Sequence, residues 1–265
     1  MFYIRIYKVL IALSLIIITG FLIPRKTPVS KTRMLPLQAG VVLTFDDRFV
    51  AEWMKADAQF SKEYHWKATF FVAGYQKLDE SQRSMLMQLQ NEGHEIGFHG
   101  DAHVSALPFI KANSLEKYLD TEFTQVSIMK NAGLKVTSFA YPSGSRDEGT
   151  DSALSKQFSM LRGVTNRDVA TKNYNCFFNG NELVDGIGIE FQYKYFSHDY
   201  LLGLLDYAKA NNKVLIVYGH KPMPEADRSK HEVDYTTIKL ICDYVMKYNL
   251  HFYTMHELAG YKISK

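Results

Sequence analysis

Asp46 and Asp47 stand side by side at the end of the apolar run Val41-Val42-Leu43-Thr44-Phe45. Neighbouring carboxylates repel, so each needs its own partner: a cation, a metal or a hydrogen-bond donor. Further along, His99 and His103 form an i, i+4 pair just after Ile96-Gly97-Phe98. That spacing is one helical turn and can aim two imidazoles at one ion. Two neutral nitrogens and one carboxylate are the ligand set of an open catalytic metal centre. Each feature also has an ordinary reading. An Asp-Asp pair serves as a turn or as an N-cap before a helix starting near Phe49. A chain with 9 His holds about 0.3 such histidine pairs by chance.

Five blocks follow one another in order: Thr44-Phe45-Asp46-Asp47, Ala68-Thr69-Phe70-Phe71-Val72, Gly93-His94-Glu95-Ile96-Gly97-Phe98-His99, Phe139-Ala140-Tyr141-Pro142-Ser143-Gly144 and Ile216-Val217-Tyr218-Gly219-His220. In this order they resemble the polysaccharide deacetylases, the chitin-deacetylase-like enzymes of carbohydrate esterase family four. The resemblance implies a distorted (β/α)7 barrel and a divalent metal, with Zn2+ the first candidate. It implies hydrolysis of N-acetyl groups on an acetamido-sugar polysaccharide, with release of acetate. Carried over residue by residue, it makes Asp46 the general base and Asp47, His99 and His103 the metal ligands. His220 becomes the catalytic acid, needed because an amine leaves badly unless protonated. Tyr141, Pro142, Gly144 and Tyr218 become substrate-binding residues.

Two positions depart from the pattern. Ala140 stands where the family has the Arg that orients its base, and Tyr218 stands where a Leu usually shapes the acetyl pocket. The family's Trp-bearing block is not recognisable, since the only Trp residues are Trp53 and Trp66. Arg146 and Arg162 are the candidates to fill the role of the missing Arg, and Asp168 or Arg162 the candidates to stand in for the unrecognised block.

The elements that must position these residues alternate between strand and helix. After the strand ending at Asp46-Asp47, apolar spacing predicts a helix over Phe49 to Tyr64, a strand over Lys67 to Ala73 and a helix over Leu78 to Asn91. A third strand runs from His94 to Phe98, and a long helix from Ser114 stops at Asn131-Ala132-Gly133. Strands over Val136 to Ala140 and Met160 to Thr165 flank a short helix, Ser152 to Phe158. Beyond an Asn-rich and aromatic stretch, Gly186 to Ile189 reads as a strand and His198 to Asn211 as a helix. Val214 to Tyr218, Tyr235 to Lys247 and His251 to Thr254 complete the pattern as strand, helix and strand. Such alternation in one domain argues for a parallel sheet closed into an α/β barrel. Barrel sites form at the C-terminal strand ends, where Asp46, Asp47, His99, Pro142 and His220 all fall.

A length of 265 residues suits one large domain, and a hydrophobic fraction of 46% is ample for its core. A net charge of +3 without a long basic run argues against nucleic acid as a partner. Arg5 and Lys8 precede an uncharged run from Val9 to Ile23, then Pro24-Arg25-Lys26. Residues 1–23 therefore read as a signal peptide or an uncleaved membrane anchor, 24–39 as a linker and 40–265 as the catalytic domain. The expectation is export to the cell envelope, either membrane-anchored or secreted, with membrane contact through the N-terminal segment if it is uncleaved. Cys176 and Cys242 leave one disulfide or two buried thiols open. Three rival functions remain: an O-acetyl esterase on a polysaccharide, a catalytically degenerate carbohydrate-binding barrel, and an iron(II) oxygenase. The last uses the same ligand types but usually sits on antiparallel β-folds.

Overall fold

The computed structural model describes residues 36–165 and 175–261. The 1–23 segment, most of the 24–39 linker and Asp168 lie outside these described residues. Seven parallel strands form the barrel: β1 (Gly40–Asp47), β2 (Ala68–Val72), β3 (Glu95–Phe98), β4 (Ser138–Ala140), β5 (Met160–Val164), β6 (Leu183–Gly188) and β7 (Val214–Gly219). They lie in sequence order, and β7 closes on β1 with Gly40 opposite Val214 and Phe45 opposite Gly219. The expected (β/α)7-type barrel is therefore present.

The helices are α1 (Val50–Tyr64), α2 (Glu80–Asn91), α3 (Leu107–Lys111), α4 (Leu115–Asn131), α5 (Glu148–Leu154), α6 (His198–Ala210), α7 (Tyr235–Tyr248) and α8 (Met255–Leu258). A two-stranded ribbon, β8 (Lys221–Met223) with β9 (Glu232–Asp234), follows β7, and the short β10 (His251–Phe252) pairs with Gly40 and Val41. Among the described residues no helix is long and apolar enough to cross a membrane.

The strands are apolar on both faces because both faces are covered. On β1 the odd residues Val41, Leu43 and Phe45 join the outer core with Trp53, Phe60 and Trp66. The even residue Val42 joins the barrel interior with Phe71, Ala140, Met160, Val184 and Ile216. Side chains alternate with period two along a strand. Asp46 therefore points inward above Val42 and Thr44, Arg162 inward above Met160, and Tyr218 inward above Ile216.

Two departures from the expected pattern have clear local causes. The short helix α5 starts at Glu148 because Asp147 caps it, accepting from Thr150 N at 2.8 Å. The histidine pair stands on a loop and not on a helix. Gly100 at φ +81 and His103 at φ +53 are left-handed and cannot continue helical backbone. Gly100 is also where the chain passes close to Pro142, since a Cβ there would sit 3.2 Å from the ring. Cys176 and Cys242 are separate buried free thiols.

Candidate active site

β1 delivers its two carboxylates to different places. Asp46 is buried in the barrel mouth, whereas Asp47 leaves the strand at φ +83 and is partly exposed. That change of backbone handedness separates two charges adjacent in sequence. Asp47 Oδ1 lies 3.4 Å from His103 Nε2 and 3.8 Å from His99 Nε2.

The loop carrying both histidines is tied down at several points. His99 N donates to Val72 O and Gly74 N to Gly100 O, both at 2.9 Å. Asp101 N donates to the buried Glu122 on α4 at 2.9 Å, and burial pushes that carboxyl up to about 7. His99 itself is buried, and its Nδ1 donates to Ala140 O at 2.8 Å, which leaves the Nε2 lone pair facing Asp47. Burial brings the His99 imidazole down to about 4, so it is neutral near pH 7.

This donor set fits a divalent cation. Two imidazoles and a carboxylate offer ligand atoms that all lie within 4.8 Å of one another, and the cluster has an open, solvent-facing flank at the exposed His103. Beside it lies a cavity of about 410 Å³ lined by Asp47, Phe49, Lys77, Asp101 and His103.

Arg162 answers the missing family Arg. It stands on β5 directly opposite Ala140 and is wholly buried, and its Nη2 hydrogen-bonds Asp46 Oδ2. The guanidinium lies over Tyr218, 5.0 Å from the ring centroid, and over Phe71, 5.4 Å away. Ala140 gives it room on one side. On the other, Gly186 would bring a Cβ to 3.2 Å from Arg162 Cδ. Burial by itself would raise Asp46, but Arg162, with His99 and His220, holds it below the usual carboxylate range. Asp46 Oδ1 has no hydrogen-bond partner among the described residues and is free to accept one. Arg146 goes elsewhere, to Asp151 at 2.6 Å.

His220 follows β7 on the adjoining rim. Its Nδ1 lies 2.9 Å from Glu190 Oε1, which also accepts the His220 backbone N–H at 2.8 Å. Trp53 Nε1 on α1 holds the His220 carbonyl at 3.0 Å. Burial lowers the imidazole, but the Glu190 hydrogen bond and charge outweigh it, so its pKa is raised. Glu190 was not singled out from the sequence. The signal was present: it comes at the end of the Gly186-Ile187-Gly188-Ile189 run as Asp46 comes at the end of the apolar run of β1.

The four expected substrate-binding residues surround this rim differently. Tyr218 lies between Arg162 and Tyr193, 6.0 Å from the latter and 6.1 Å from His220 by ring centroids. Pro142 packs on Gly100, and Gly144 turns the chain at φ +65, where a Cβ would collide with Val164. Tyr141 is buried against Phe139, and its hydroxyl donates to Asp151 at 2.8 Å. A stacked aromatic pair, Tyr193 and Tyr195 at 5.5 Å, extends the rim. The other buried histidine, His94, sits on the far side, paired with Asp57 at 2.8 Å and receiving Ala68 N at 3.1 Å.

Comparison with known proteins agrees with this architecture. Residues 36–158 match the family model described as polysaccharide deacetylase. No curated protein matches the chain. Among solved structures, a peptidoglycan deacetylase, PdaC from Bacillus subtilis, is similar at 17% identity and a TM-score of 0.51, covering 86% of this chain and 93% of that one. The chitin deacetylase of Colletotrichum lindemuthianum is similar at 18% identity and a TM-score of 0.51, covering 85% and 89%. The catalytic domain of peptidoglycan N-acetylglucosamine deacetylase from Eubacterium rectale is similar at 15% identity and 0.51, covering 88% and 95%. At such identities these structures speak to the fold, whereas the family match spans both Asp46-Asp47 and the histidine loop. Over residues 36–158, a little under half of its length, this chain is similar to the polysaccharide deacetylase family.

Proposed function

We propose that this protein hydrolyses N-acetyl groups on an acetamido-sugar polysaccharide, releasing acetate and leaving a free amine. The observation that carries the reading is Asp46, a buried carboxylate clamped by Arg162 and unpartnered at Oδ1, beside a histidine–carboxylate triad suited to a cation. A divalent cation held by Asp47, His99 and His103, zinc by first choice, would polarise the acetyl carbonyl and acidify the water that attacks it.

The chain's own groups carry the protons. Asp46, held ionised by Arg162, takes a proton from the attacking water through Oδ1. As the C–N bond breaks, His220 gives a proton to the departing nitrogen, and Glu190 stabilises the imidazolium before that transfer. Water and amide are thus converted to acetate and amine with no proton unaccounted for. Tyr218, Tyr193 and Tyr195 offer aromatic faces where the sugar rings could stack.

Two rival readings lose support here. A degenerate binding barrel would suit a base left without its Arg, yet Asp46 has a buried guanidinium partner. An O-acetyl esterase expels an alkoxide, a better leaving group than an amine, and needs a built acid less; the Glu190–His220 pair favours the amide. The charged start and the run from Val9 to Ile23 support an exported enzyme acting at the cell envelope. The test is acetate release from N-acetylated glucosamine oligomers by zinc-loaded protein. Asp46→Asn should abolish it while zinc content stays normal. Equal acetate release by Asp46→Asn, or release only from O-acetylated substrates, would overturn the reading.

A further inference from the structure

We infer that Glu190, His220 and His231 form a second divalent-cation site, and that its occupation silences His220 as an acid. Three ligand atoms, one from each residue, all lie within 4.8 Å of one another. The anchor is Glu190, whose carboxylate is fully buried and rigidly placed by the His220 backbone N–H. Its Oε1 lies 2.9 Å from His220 Nδ1 and its Oε2 lies 3.3 Å from His231 Nδ1. Zinc bonds of about 2.0–2.2 Å in a tetrahedron put neighbouring ligand atoms roughly 3.3–3.6 Å apart. The two separations sit at and slightly inside that edge, so small side-chain rotations would open the site to an ion.

The elements that supply the ligands make the site a composite one. Glu190 follows β6, His220 follows β7, and His231 closes the turn leading into β9. The β8–β9 ribbon folds His231 back, with Lys221 N donating to His231 O at 3.3 Å, so the two imidazoles lie 4.6 Å apart by centroid. The His231 side chain is 60% exposed, which gives an ion a route in and a place for water as fourth ligand. The Gln192 amide now bridges the two ligands, its Nε2 on Glu190 Oε2 at 3.2 Å and on His231 Nδ1. With the Gln192 amide donating to both, His231 Nδ1 and the carboxylate oxygen each present a lone pair to it. Such a pair needs a proton, a donor such as this amide, or a cation between them.

Occupation would remove the catalytic proton by simple exchange. The cation takes the place of the proton shared by His220 Nδ1 and Glu190, and that proton goes to solvent. An imidazole bound through Nδ1 keeps an N–H at Nε2 but is no longer an imidazolium. It cannot release that proton to an amine near neutral pH. The enzyme would then need one ion at Asp47, His99 and His103 and be inhibited by a second at this site. The inhibitory half rests on the acid role proposed for His220; the binding half does not.

The experiment uses the untagged full chain, stripped with a chelator and titrated with zinc, with bound metal measured by equilibrium dialysis and elemental analysis. Two ions per chain should bind, the weaker one coinciding with loss of acetate release. His231→Ala should lose only the weaker ion, keep its activity at low zinc and need at least about tenfold more zinc for inhibition. A wild-type chain that binds a single ion at inhibitory zinc overturns the site, as does a His231→Ala variant that still binds two or is inhibited equally. If the weaker ion depends on His231 but neither protein releases acetate, the site stands and the deacetylase reading falls.

Discussion

The barrel mouth carries two clusters of one carboxylate and two histidines, and they are built for different guests. Around Asp47 the imidazoles stand off at 3.4 and 3.8 Å, too far for hydrogen bonds. His99 is held there by a backbone carbonyl and kept neutral by burial. Around Glu190 the nearer imidazole is in direct contact at 2.9 Å, and the contact favours its charged form. The first arrangement leaves a gap that an ion can fill, and the second closes the gap with a proton. The same three residue types thus give an open cation site or an acid whose proton a cation must first displace, depending on whether carboxylate and imidazole are held apart or allowed to touch.

The largest expected effect breaks that contrast directly. His103→Ala removes one of the three ligands at the first cluster, so the tightly bound zinc and acetate release should be lost together. His220→Ala should instead leave the tight zinc in place and lower kcat on amides by on the order of 10²–10⁴. Esters with good leaving groups need less protonation and should suffer much less. Loss of tight zinc in His220→Ala, or equal loss on amides and activated esters, would mean the clusters do not divide the labour this way.

A smaller effect is expected at the Asp46–Arg162 pair, which lies between the clusters. Arg162→Ala leaves a buried carboxylate without its counter-ion, at a cost of roughly 3–5 kcal/mol in stability. Ala140 and Arg162 are opposite each other on β4 and β5. The double variant Arg162→Ala/Ala140→Arg should therefore recover part of both stability and activity by supplying the guanidinium from the neighbouring strand. Denaturant unfolding and acetate release check this. A double variant no better than Arg162→Ala would show that the strand of origin matters.

The smallest effect sharpens the contrast from outside the mouth. Asp57 and His94 form a buried pair on the far side, and Asp57 also receives Trp66 Nε1 at 3.0 Å. Burial raises this carboxyl, but its hydrogen bonds from His94 and Ser61 outweigh that and hold it well below its ordinary value. A carboxyl lowered in the folded state contributes stability above the unfolded pKa of about 3.9, and the contribution fades as pH falls through the folded value. Asp57→Asn should cost about 1.5–3 kcal/mol near pH 7. The gap from wild type should narrow below about pH 4, and zinc binding should be unchanged. Thermal unfolding from pH 3 to 7 measures it; a gap that widens in acid would contradict the sign.

The sequence by itself determined the strand and helix order, because period-two and helical apolar patterns are local. It also placed Asp46, Asp47, His99 and His220 at strand ends, since a strand that leaves a buried barrel must end in something polar. What it did not contain was handedness at the loop. The i, i+4 histidines suggested a helical turn, whereas left-handed Gly100 and His103 bring their rings together on a loop, 4.9 Å apart by centroid. Nor did it reveal the partner of the base. Asp46 and Arg162 are 116 residues apart, and both point inward only because strand register and barrel closure give them the same parity. Glu190 is 30 residues from His220, and His231 reaches the same carboxylate only through the fold of the β8–β9 ribbon. Local pattern shows which residues reach the mouth of a barrel. Which of them touch depends on closure and loop geometry, which bring together side chains far apart in the chain.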